Sequence, residues 1–106
     1  MLHKPKEVQP AQPISRTDAA MKAQVDCARR NVSQVDDGTS DATTVAFALA
    51  MRCGAEYNAV IEAYSTDFEN DAQRRKFRQR RMSSEARLES FLPVVMQYRQ
   101  ATRATK

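Results

Sequence analysis

The chain has 106 residues, enough for one domain, and a formal net charge of +4. It contains only 2 Gly and 4 Pro, and strand formers never alternate over a useful length, so a β architecture is excluded and an all-α fold is expected. No apolar run approaches the roughly 18 residues of a membrane-spanning helix.

Residues 1–14, MLHKPKEVQPAQPI, carry Pro5, Pro10 and Pro13 and no apolar face. They read as a flexible Pro-rich tail or tether. Residues 15–106 then form a single helical domain. His3 is the chain's one histidine and lies in this tail, so no metal site is expected on it. No signal peptide is legible. An exported form of this chain would carry its signal segment, or a lipid-anchored cysteine, ahead of Met1.

The first helix is expected near Thr17, with Ser15 or Thr17 as cap and Asp18 in the first turn. Met21, Val25, Ala28, Val32 and Val35 fall within about 80° of arc and form its core stripe. Cys27 lies about 100° to one side. Asp36-Asp37-Gly38-Thr39-Ser40 reads as a turn. A second helix starts at Ser40 or Asp41 and is expected to run to about Tyr64. Its main face is Ala42, Val45, Ala46, Leu49, Cys53, Tyr57, Val60 and Tyr64. Gly54 predicts a kink in this helix, or room for a neighbour's side chain. Phe47, Met51 and Ile61 form a second apolar group on this helix and are the candidate interface of a homodimer.

Cys27 and Cys53 are placed symmetrically about the turn, with their midpoint at Ser40. In an antiparallel pair they stand at the same height, and the register permits a disulfide. On the chain-entropy view such a bridge contributes about 3–4 kcal/mol. The alternative is two buried thiols acting as small apolar residues. The even cysteine count fits an oxidising compartment.

Thr66 and Glu69 have capping-box spacing, which predicts a third helix from that point. Met82-Ser83-Ser84-Glu85 reads either as a break and re-cap or as mid-helix; Phe77, Arg81, Ser84, Leu88, Phe91, Val95 and Tyr98 keep helical spacing across it, so one long helix is expected. Pro93 should kink or end it, and the chain after Tyr98 should fray. The fold expected is a disulfide-stapled antiparallel helical hairpin with a long third helix, a three- or four-helix bundle.

Residues 1–71 hold 7 basic and 11 acidic side chains, while residues 72–106 hold 10 and 2. The density peaks at Arg74, Arg75, Lys76, Arg78, Arg80 and Arg81, with Phe77 among them. This run is the candidate anion-binding site, for lipid headgroups, lipopolysaccharide or nucleic acid. The bland alternative is a solvated helix face with local ion pairs Asp71–Arg75 and Arg81–Glu85.

Catalysis is not expected. No Gly-rich phosphate loop, H-E-x-x-H or G-x-S-x-G is present. The cysteines are too far apart for a C-x-x-C redox pair. Glu56 and Glu62 do not share a face, and Tyr57 and Tyr64 read as core. No cofactor and no metal ligand set is legible.

Asp26-Cys27, followed by DDGTSDATTVAFALAMRC ending at Cys53, resembles small exported helical two-cysteine proteins of Gram-negative bacteria. The resemblance implies export and a Cys27–Cys53 pair, and carries no established activity. The expected function is a small exported binding or structural protein of the periplasm or cell envelope. The alternative is a basic nucleic-acid-binding module using residues 74–81. The sequence names no protein partner.

Overall fold

The computed structural model describes residues 15–104, so the Pro-rich tail lies outside the described residues. Five helices and no strand occur among them: α1 (Arg16–Val35), α2 (Ala42–Arg52), α3 (Gly54–Ser65), α4 (Asp71–Arg81) and α5 (Ser84–Ala104). None is long and apolar enough to cross a membrane.

Ser15 caps α1, its Oγ accepting the Asp18 N–H at 3.0 Å. The helix ends because the next residues offer the backbone better local partners. Asp36 Oδ1 accepts the Gly38 N–H at 2.9 Å. Asp37 Oδ1 accepts the N–H groups of Thr39 and Ser40 at 2.9 and 2.7 Å. Gly38 takes φ +80°, a conformation that favours glycine. Asp41 then caps α2 through the Thr44 N–H at 2.8 Å.

The expected second helix is two helices. Cys53 leaves helical geometry at φ −103°, ψ 26° and separates α2 from α3. Gly54 is the weak position in this stretch. A Cβ built on it would meet nothing within 4 Å, so it does not make room for a neighbour. The disulfide Cys27–Cys53, with Cα atoms 6.0 Å apart, ties α1 to this joint. The joint also changes which residues α3 buries. Ile61, expected on an outward face, is 3% exposed and belongs to the core, whereas Tyr64 is 39% exposed.

α1 packs chiefly along α3, and α2 along α5. Between them lie Ala28, Val32, Val45, Leu49, Tyr57, Phe91 and Val95, all buried. Ala46 and Ala50 are buried too, so α2 presents small side chains to its neighbours.

The expected long third helix is also two helices. Its capping box does not form. Thr66 is helical and closes α3, its Oγ1 donating to the Ala63 carbonyl at 2.8 Å. Asn70 caps α4 instead, accepting the Gln73 N–H at 2.8 Å. α4 stops at Met82, and Ser83 Oγ accepts the Ala86 N–H at 3.1 Å to start α5. Pro93 lies inside α5 without ending it. Pro93 is exposed, as is Glu89 one turn back, so water can reach the carbonyl left without a donor.

The expected fraying after Tyr98 is also overturned, because α5 runs to Ala104. Arg99 holds this end. Its Nε and Nη2 donate to the two carboxylate oxygens of Asp36 at 2.9 and 2.8 Å, and Nη2 donates to the Ser40 carbonyl at 2.6 Å. The hydrogen bond from Arg99 holds the Asp36 carboxyl below the usual carboxylate range. A depressed value stabilises the fold above the unfolded carboxylate pKa, and this contribution disappears as pH falls through the folded value. Asp36→Ala should therefore cost about 2–3 kcal/mol near neutral pH. In urea unfolding followed by circular dichroism, the gap to wild type should be full above about pH 4 and narrow progressively as pH falls below it. A gap independent of pH would contradict this assignment.

Candidate functional site

α4 reads DAQRRKFRQRR and is the one helix among α1–α4 with no buried residue. Its seating depends on Phe77. That ring packs 5.1 Å from Phe68 and 6.3 Å from Tyr64, centroid to centroid, and also touches the core. The buried Tyr57 hydroxyl donates to the Arg81 carbonyl and fixes the end of the helix.

The six cations of α4 do not behave alike. With Phe77 taken as the inward direction, Arg81, Arg74 and Arg78 lie within about 100° of it on one flank. Each has a partner inside the chain. Arg78 pairs with Glu62 at 2.8 Å. Arg74 pairs with Asp71 at 3.1 Å. Arg81 donates to Ser90 Oγ at 3.3 Å and stands 5.9 Å from the centre of the Tyr57 ring. The expected local pairs Asp71–Arg75 and Arg81–Glu85 give way to these, because Asp71 closes on Arg74 and Arg81 turns inward to Ser90 and Tyr57.

Arg75, Lys76 and Arg80 fall on the opposite side, within about 140° of arc. All three are exposed, and none forms an ion pair among the described residues. Ala72 and Gln79 share their arc, so no acidic residue of α4 interrupts it. Lys76, Gln79 and Arg80 line a shallow depression of about 360 Å³. On the far side of Arg80 a second groove includes Glu85 and Glu89, which would repel an anion. The Arg75–Lys76 side is the unopposed one.

The other candidate residues separate as well. Met51 is 81% exposed and Phe47, one turn earlier, is half-buried. Ile61 is in the core and cannot serve an interface with them. Exposed Thr43, Thr44 and Ala48 join Phe47 and Met51, so the outward face of α2 from Ala42 to Met51 carries no charge. Glu62 is occupied by Arg78, while Glu56 lies beside the disulfide.

Arg99 is the structural residue that pattern reading missed. A signal was present: it lies four residues after Val95 on the stripe that also carries Phe91. Comparison with protein-family models, with characterised proteins and with solved structures returns no match to this chain. The arrangement of its own residues therefore carries the functional argument.

Proposed function

We propose that the protein is an exported, non-catalytic helical binding protein of the periplasm or cell envelope, and that α4 is its contact with a phosphate-bearing lipid surface. The single observation behind this reading is the division of α4. Arg74, Arg78 and Arg81 each have a partner within the chain, while Arg75, Lys76 and Arg80 are exposed with no ion pair among the described residues, on a helix with no buried residue. The Cys27–Cys53 disulfide supports an oxidising compartment, as does the resemblance to exported two-cysteine proteins.

The magnitude sets a condition on this reading. A basic residue near an anionic membrane contributes about 1 kcal/mol, so three give about 3 kcal/mol, too little for stable attachment alone. Attachment needs a second contribution, from a tether or from a second copy. The tail of residues 1–14 is the proposed tether. The uncharged outward face of α2 is the proposed contact between copies, with Phe47 and Met51 at its centre and Ile61 left out.

Vesicle co-sedimentation tests the surface. The protein should bind vesicles containing phosphatidylglycerol and release as salt rises, and should ignore pure phosphatidylcholine. Changing Arg75, Lys76 and Arg80 together to Gln should abolish binding with the helical content unchanged. Equal binding to both vesicle types would reject the reading. Tighter binding to a DNA or RNA duplex at the same salt would favour the nucleic-acid module instead.

Light scattering tests the pairing. At tens of micromolar (an order-of-magnitude choice) the mass should be twice the 12.0 kDa of the chain. Met51→Glu should halve it without unfolding, because Met51 is largely exposed in the single chain. A wild-type mass of one chain would reject the dimer.

A further inference from the structure

A second cluster, independent of α4, lies where α1 meets the joint between α2 and α3. The Cys27 and Cys53 sulfurs and a Glu56 carboxylate oxygen all lie within 4.8 Å of one another. Both cysteines are buried, and Glu56 is half-buried. We propose that reduction of the disulfide converts this cluster into a binding site for a thiolate-seeking divalent cation, zinc above all, held by Cys27, Cys53 and Glu56.

The geometry favours this conversion. In a tetrahedral zinc site with Zn–S bonds of about 2.3 Å, two thiolates stand about 3.8 Å apart. Cα atoms 6.0 Å apart can present sulfurs at that spacing by side-chain rotation. Glu56 lies in the first turn of α3 and supplies an oxygen donor. The site is therefore S₂O with a fourth position for water, a donor set that suits zinc.

Two features set the surroundings of the sulfurs. Asn31 Nδ2 donates to Cys27 Sγ at 3.5 Å while also holding the Cys27 carbonyl at 2.8 Å, so its position is fixed. Cys53 occupies the N-cap position of α3 and makes no side-chain cap hydrogen bond. Cys53 is also the C-cap of α2, so the opposed ends of the two helices meet at this residue.

The chemistry balances as follows. Two equivalents of a small thiol supply two electrons and two protons to the S–S bond and leave as their own disulfide. Cys27 and Cys53 become thiols. Metal binding then releases their two protons to solvent. The hairpin is closed by a covalent bond in one state and by a metal ion in the other.

The test uses the full chain, reduced with a phosphine that takes up the oxygen of water as the two thiols form. The probe is Co²⁺. The reduced protein should take up one ion per chain with the visible bands of tetrahedral thiolate coordination, and Zn²⁺ should remove them. Glu56→Gln should weaken Co²⁺ binding by about tenfold or more, since even residues outside the ligand set commonly cost that much. The oxidised protein should show no bands. If reduction melts the helices, Co²⁺ should restore the helical signal and the bands together. Absent bands at one equivalent, bands in the oxidised protein, or an unchanged affinity in Glu56→Gln would each overturn the assignment.

Discussion

The constraint on which the structure depends is the link between α1 and the joint at Cys53. α2 and α3 are separated by one non-helical residue, and that residue is bonded to α1. Without the link, the joint would be a hinge beside Gly54. With it, α3 is held for packing along α1 while α2 is held for packing along α5. The loop it closes is worth about 3–4 kcal/mol in the entropy of the unfolded chain. For a domain this small that is a large part of the usual net stability.

The core built around this link leaves α4 outside it. Every element of the inner layer contributes buried apolar side chains, while α4 contributes only the partly buried Phe77 to the core. Two of these cations fasten it to neighbours, Arg78 on Glu62 and Arg81 on Ser90, while Arg74 pairs with Asp71 of α4 itself. Exposed ion pairs of this kind contribute little each. The aromatic contacts of Phe77 therefore do most to position the helix. What remains on the outer side is charge with no use inside the fold. The same economy appears on α2, whose inner face is core and whose outward face from Ala42 to Met51 carries no charge.

How legible this was in the sequence depends on the range of the interactions. The turn at Asp36–Asp41 was legible because its bonds run between residues two or three apart, and DDGTSD holds the groups that make them. The core face of α2 was legible from its period. The joint at Cys53 was not, because continuous spacing through Gly54 looks the same for a straight and a broken helix. Thr66–Glu69 offered a better capping pattern than Asn70, yet Thr66 serves as the C-cap of α3 and α4 starts at Asp71. Met82–Ser84 showed both a re-cap signal and unbroken periodicity, and the cap at Ser83 prevailed. Arg99 pairs with a residue 63 positions away, a relation that no local pattern encodes. The basic run was visible as a run, but its division into inner and outer cations required Glu62 and Ser90 to be placed.

The central claim is that α4 meets an anionic surface with one side only. The direct measurement is nuclear magnetic resonance of the arginine and lysine side-chain nitrogens during titration with phosphatidylglycerol bicelles. The account predicts that Arg75, Lys76 and Arg80 shift and broaden together while Arg74, Arg78 and Arg81 keep their positions. Equal perturbation of all six, or movement of the inner three first, would contradict it.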